Sequence, residues 1–103
     1  MADETNRDLL FLYELEELMI SRKKELPKGS YTSTLYMEGI DKIAQKLGEE
    51  AVELVIASKN EDQGEIIFES ADLIYHLLVL LAEKEIPLDR VIGELKTRSK
   101  GQQ

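Results

Sequence analysis

A chain of 103 residues, 43% of them hydrophobic, is long enough for one ordinary core and too short for two, so a single domain over residues 1–103 is expected. The formal charge of −8, from 21 acidic and 13 basic residues, offers no basic footprint for nucleic acid, although a divalent cation can still bring in an anionic substrate. The absence of cysteine excludes disulfides and thiolate chemistry, and the acidic start Met1-Ala2-Asp3-Glu4-Thr5 with no apolar run of ~20 residues speaks against a signal peptide or membrane span, leaving a cytoplasmic protein as the expectation.

From Leu9 to Leu26 the residues Leu9, Leu12, Leu15, Leu18 and Met19 recur at helical spacing and predict a first amphipathic helix. Glu14, Glu16 and Glu17 between them read as its solvated face. Pro27-Lys28-Gly29-Ser30 breaks the pattern and supplies a hydroxyl to cap a short helix over Tyr31–Glu38. Gly39 weakens continuation, and Asp41 is the expected N-cap of a helix over 42–59. After the polar turn 60–64, Asp62 and Glu65 give a capping-box-like start to a helix reaching about Lys84. Beyond Pro87, the residues Leu88, Val91, Ile92 and Leu95 mark a last short helix, and 99–103 reads as a frayed tail. No segment alternates with period two, so the expected fold is all-α, a bundle of about five helices.

Winding 42–59 at about 100° per residue places Lys42, Lys46, Glu49, Glu50 and Glu53 on one stripe between apolar flanks. In the next helix Glu65, Glu69, Asp72, His76 and Glu83 form a narrow band, and apolar residues fill almost the whole remaining circumference. A helix of that kind is expected at the centre of its bundle, with a second copy of the chain completing the burial. Facing acidic stripes repel, and an unpaired carboxylate away from water costs several kcal/mol. A hard divalent cation resolves the conflict, and Glu50/Glu53 with Glu69/Asp72 offer oxygen ligands from adjacent turns of two helices. The plainer alternative is a solvated, lysine-paired acidic face. A di-iron carboxylate bundle does not fit, since it needs Glu-x-x-His on two helices and this chain has one histidine. His76 is expected to support the acid band by hydrogen bonding, or to be a satisfied core residue. Lys42 and Lys46 either contact phosphate as point charges or pair with Glu49 and Glu50, which is worth only ~0.3–0.5 kcal/mol at an exposed helical spacing.

Glu49-Glu50-x-x-Glu53 followed by Glu69-x-x-Asp72 resembles the acid signature of the all-α nucleoside-triphosphate pyrophosphohydrolases, the MazG-like group. Ser30-Tyr31-Thr32, Gly39, Lys46-x-Gly48-Glu49-Glu50, Ala57 and Ala71-Asp72-Leu73-x-Tyr75-His76 are similar to the phosphoribosyl-ATP pyrophosphatase family within it, over about Leu9 to Arg98. Pro87 stands where many relatives have a serine or similar cap. The resemblance implies hydrolysis of 1-(5-phosphoribosyl)-ATP to phosphoribosyl-AMP and pyrophosphate, the second step of histidine biosynthesis. It implies Mg²⁺ on Glu50, Glu53, Glu69 and Asp72, with Glu49 orienting the attacking water or a lysine. The loop 27–34 would approach the substrate, with Lys28 and Ser30 or Thr32 near phosphate and Tyr31 beside them. Relatives fused to the cyclohydrolase of the next step are longer, so a stand-alone form is expected, as a homodimer or larger oligomer. The competing readings are a house-cleaning hydrolase of non-standard nucleotides and a non-catalytic helical oligomerisation module.

Overall fold

The computed structural model describes residues 2–102, with side chains from 6 to 101. Five helices follow one another: α1 (Ala2–Glu25), α2 (Tyr31–Glu38), α3 (Ile40–Ser58), α4 (Gln63–Glu83) and α5 (Leu88–Gln102). No strand occurs among the described residues, so the fold is all-α. No described helix is long and apolar enough to cross a membrane.

Helix α1 outruns its apolar repeat and begins at Ala2 rather than near Leu9, since no glycine or proline interrupts the intervening residues. It stops at Glu25 because Pro27 has no N–H and disfavours the α region in the residue before it. Leu26 takes φ +50° while its amide still donates to the Arg22 carbonyl at 2.9 Å.

Ser30 caps α2, its Oγ accepting the Ser33 amide at 3.2 Å. Gly39 then serves two helices. Its amide donates back to Leu35 at 3.0 Å, and its carbonyl accepts from Ile43 at 3.1 Å, at a φ of +97° that favours glycine. It is therefore the N-cap of α3, and Asp41, expected there, lies inside the first turn, where its charge suits the helix N-terminus. Asp62 caps α4 as its pattern suggests, accepting from the amides of Gly64 at 2.9 Å and Glu65 at 3.3 Å. Glu65 does not return the bond to Asp62, and accepts instead from Asn60 Nδ2 at 3.5 Å.

A Schellman arrangement closes α4, with Ile86 N–H on the Leu81 carbonyl at 2.9 Å, Glu85 N–H on Ala82 at 3.1 Å, and Glu85 at φ +56°. Lys23 also donates to the Glu83 carbonyl at 2.9 Å. The amide of Leu88, which has no partner within the first turn of α5, is met from across the bundle by the Glu16 carboxylate at 2.7 Å. This corrects the reading of Glu16 as part of a solvated face. Pro87 supplies no capping side chain, and a charged acceptor from α1 takes that role. The Tyr13 hydroxyl, donating to Asp89 at 2.6 Å, strengthens the same seam. The polar stretch from Ser99, expected to fray, is helical to Gln102, and Gln103 lies outside the described residues.

The core joins Met19 of α1, Leu35 and Tyr36 of α2, Ile43 of α3, Leu78, Val79, Leu81 and Ala82 of α4, and Leu88 of α5. Each large apolar side chain fully buried here contributes about 1.5–3 kcal/mol relative to exposure. Every α4 residue in this core lies in its second half. In the first half Ile67 and Phe68 are 69% and 64% exposed, and Ile74 is exposed as well. The facing end of α3 likewise exposes Val52, Val55 and Ile56. Helix α4 is thus central to the bundle only over its second half, and its first half projects beyond the core as a hairpin with the end of α3.

Candidate metal centre

The acids gather where the packed core gives way to the projecting hairpin. Helix α3 contributes Glu50 from its middle and Glu53 one turn on, and α4 runs back antiparallel to bring Glu69 and Asp72 against them. One carboxylate oxygen from each of Glu50, Glu69 and Asp72 lies within 4.8 Å of the others. Glu50 is only 6% exposed, while Glu69 and Asp72 are half-buried. Glu50 Oε2 and Glu69 Oε1 are shielded from solvent and meet no hydrogen-bond donor among the described residues.

Electrostatics report the same crowding. Burial first, and then the neighbouring Glu53 and Asp72 carboxylates, push the Glu50 carboxyl above the ordinary glutamate value. Glu69 is pushed up by burial, then by Glu53, Asp72 and Glu65. Glu53 is itself exposed at the rim, close enough to act on both. Buried oxygens without donors, on acids crowded against their repulsion, form a donor set that fits a hard cation such as Mg²⁺.

Glu49 points elsewhere. It is exposed, accepting from Gln45 at 2.8 Å and from the Lys46 ammonium at 3.2 Å. Those two bonds, Gln45 first, hold its carboxyl below the ordinary value, with Lys42 adding a smaller pull. Lys46 thus pairs with Glu49 while also lying near Tyr31 and Glu50. Lys42 is half-buried one turn earlier on the same helix.

Helix α2 walls the other side. The Tyr31 hydroxyl lies 2.9 Å from His76 Nε2, and His76 Nδ1 lies 2.8 Å from the backbone carbonyl of Asp72. Histidine therefore supports the acid band through main chain and phenol rather than through a carboxylate. Burial, foremost, raises the Tyr31 phenol above its usual range, with Lys46 opposing and Glu50 and Asp72 adding to the effect. Thr32 is buried and bonded to the Tyr75 hydroxyl at 2.5 Å. Ser30 Oγ is engaged as the helix cap, and Lys28 is exposed with no ion pair among the described residues.

Two residues contribute in ways that the sequence does not assign. Tyr75, present there only as part of the family motif, ties α4 to Thr32. Asn60 joins Glu65, Glu53 and Glu69 around a cavity of about 160 Å³ at the outer end of the cluster. Membership of Glu65 in the acid band was the available signal. A larger cavity of about 580 Å³, lined by Glu16, Ile20, Lys23 and Ile86 among others, lies at the opposite end of α4.

Residues 12–99 match the family model described as phosphoribosyl-ATP pyrophosphohydrolase. A Leptospira biflexa protein named phosphoribosyl-ATP pyrophosphatase is 51% identical over 88 residues, covering 85% of this chain and 96% of that protein. The Bacillus subtilis histidine biosynthesis bifunctional protein HisIE is 54% identical over 85 residues, 82% of this chain and 41% of that one. Its counterpart from Caldanaerobacter subterraneus is 50% identical over 98 residues, 95% of this chain and 48% of the relative. The chain thus spans less than half the length of the bifunctional relatives it matches.

Proposed function

The chain belongs to the phosphoribosyl-ATP pyrophosphohydrolase family, and from that premise we propose that it hydrolyses 1-(5-phosphoribosyl)-ATP between the α and β phosphates, releasing pyrophosphate and phosphoribosyl-AMP in histidine biosynthesis. The observation that carries the reading is the buried, donor-free pair Glu50 Oε2 and Glu69 Oε1 within a three-carboxylate cluster. A plain helical scaffold has no reason to hold such acids together.

We assign Mg²⁺ to Glu50, Glu53, Glu69 and Asp72. When bound, the cation would neutralise phosphate charge and ease deprotonation of the attacking water. The chain does the positioning. Glu50, deepest in the cluster, fixes the inner edge of the site, and Glu53 at the rim closes it. Glu49 is a weak base in its paired state, and its role here is to keep the Lys46 ammonium at the mouth, where a phosphate oxygen can exchange for the carboxylate. Lys42 extends the positive edge by one turn. Ser30 and Thr32 build the wall that presents Tyr31, and Lys28 stands at the loop tip.

We place residues 1–103 in one domain, acting in the cytoplasm. A second copy of the chain covers the exposed Ile67, Phe68 and Ile74 of α4 and Val52, Val55 and Ile56 of α3, because an apolar surface this continuous seldom faces water.

The test is pyrophosphate release with phosphoribosyl-ATP against free nucleoside triphosphates, in Mg²⁺ and in EDTA. Strong preference for the phosphoribosyl substrate, lost in EDTA, is expected. Equal turnover of ordinary triphosphates would replace the reading with a house-cleaning hydrolase. The lack of any saturable Mg²⁺ site by calorimetry would leave a scaffold.

A further inference from the structure

Along the α3–α4 hairpin the side chains change character from one end to the other. At the inner end the Lys46 ammonium lies near Tyr31 and Glu50, with Lys42 one turn before it on the same helix. The carboxylates of Glu50, Glu69 and Asp72 converge in the middle. At the outer end a cavity of about 160 Å³ is lined by Glu53, Ile56, Ala57, Asn60, Glu65 and Glu69. At a rise of ~1.5 Å per residue, Lys46 stands ~6 Å to the inner side of Glu50, and Ala57 ~6 Å to the outer side of Glu53.

A complete small-molecule site holds roughly 300–1,000 Å³, so the outer cavity takes one portion of a substrate rather than all of it. Its walls decide which portion. Ile56 presents an exposed apolar side chain and Ala57 beside it is small and buried, a floor suited to the face of a flat ring. Glu65 is exposed and is not one of the three acids that converge in the cluster. Asn60 Nδ2 approaches the Glu65 carboxylate at 3.5 Å. A carboxylate only accepts, so the amide nitrogen is the atom that faces it, and Oδ1 is left for a ligand. The outer end thus offers acceptors and negative charge, and none of its lining residues is basic. A phosphate would be repelled there and drawn to the lysines at the other end.

Of the portions of 1-(5-phosphoribosyl)-ATP, only the base can carry positive charge. Its adenine is substituted at N1, and an N1-alkylated adenine is an amidine that holds a proton at neutral pH, sharing the charge between N1 and the exocyclic N6. The adenine of ATP is neutral under the same conditions. We propose that Glu65 and Asn60 form a specificity-determining subsite for this cationic base. Glu65 faces the amidinium charge, Asn60 Oδ1 accepts from the N6 amine, and Ile56 and Ala57 lie beneath the ring. The subsite separates the phosphoribosyl substrate from ATP by the charge that N1 substitution leaves on the base, without having to hold the phosphoribosyl arm. The proposal rests on the pyrophosphohydrolase reading for the identity of its ligand.

Calorimetry with AMP and with 1-methyl-AMP, which carries the charged base but no phosphoribosyl arm, tests it in Mg²⁺ at pH 7. Wild type should bind 1-methyl-AMP roughly tenfold more tightly than AMP, the scale of one hydrogen bond to a charged group. Glu65→Gln, which keeps the length of the side chain, should bring the two affinities together by weakening 1-methyl-AMP alone. Asn60→Ala should weaken both nucleotides by a similar factor, because both carry the N6 amine. Neither variant should change the affinity for pyrophosphate with Mg²⁺. No preference in wild type overturns the proposal without recourse to any variant. So does a preference that survives Glu65→Gln, or nucleotide affinities untouched by Asn60→Ala. A fall in pyrophosphate affinity in Glu65→Gln also overturns it, by placing that carboxylate on the metal. Turnover of phosphoribosyl-ATP by wild type is scored separately. A preference without turnover sinks the activity reading and leaves the cation subsite standing, whereas turnover without a preference does the reverse.

Discussion

The two halves of α4 share a helix and an apolar composition but have opposite fates. From Tyr75 to Glu83 the helix is wrapped by α1 and α2, and Leu78 and Val79 are among the most buried side chains in the molecule. From Gln63 to Ile74 it packs against α3, carries Glu65, Glu69 and Asp72, and leaves Ile67 and Phe68 in the open. Apolar periodicity states which residues seek cover, whereas the reach of neighbouring helices decides which of them find it within the chain. The acid cluster lies at the boundary, fixed by the packed half and accessible from the open one.

Breaking the packed half should have the largest effect on stability. Leu78→Ala leaves a cavity that the surrounding helices cannot fill, and a loss of roughly 2–5 kcal/mol in urea unfolding is expected. Phe68→Ala removes a larger side chain from the open half. Its loss should depend on protein concentration, tracking dissociation seen by light scattering, and should be small in the dissociated chain. Equal, concentration-independent losses would show that the two halves are not distinct.

At the boundary, Glu50→Gln and Asp72→Asn should each lower pyrophosphate release in excess Mg²⁺ by about 10²–10³-fold, the scale for a group that stabilises developing charge. Melting temperature in EDTA should be unchanged or higher, because a repelling charge is gone. The pH dependence follows from the same crowding. Glu50 and Glu69 have raised carboxyl values in the folded chain, so folding favours their protonated forms. That contribution is complete below the ordinary glutamate value and is lost as pH rises through the raised folded values. Melting in EDTA should therefore fall as pH rises across that window, less steeply in Glu50→Gln, and Mg²⁺ should oppose the fall. A flat profile in wild type would show that the carboxylates are not crowded.

The smallest effect belongs to the packed half's exit. Glu85 holds φ +56° at the end of α4, where a side chain is strained and glycine is not. Glu85→Gly should raise thermal stability, by about 1 kcal/mol at most once the looser unfolded chain is counted.

Much of this was legible in the residues. The limits of α2 and the Asp62 cap of α4 follow from local chemistry, a hydroxyl or carboxylate before an apolar run. The gathering of Glu50, Glu69 and Asp72 follows from helical spacing on two helices joined by a short turn. What stayed hidden depends on contacts distant in sequence. Glu16 looks solvated until the bundle brings Leu88 to it across 72 positions. His76 sits in the acid band by periodicity, yet its partners are a backbone carbonyl and a phenol from α2. No pattern along α4 reveals that its first half lacks cover, because that depends on where α1 and α2 lie.

Gly39 alone separates α2 from α3 and caps both. The junction is therefore intolerant of length change. One inserted residue would turn α3 by about 100° relative to α2, carrying Lys46 and Glu50 away from the wall that bears Tyr31. The far end of α5 has no such gearing. Insertions and deletions among descendants of this chain should accumulate there and be purged at Gly39.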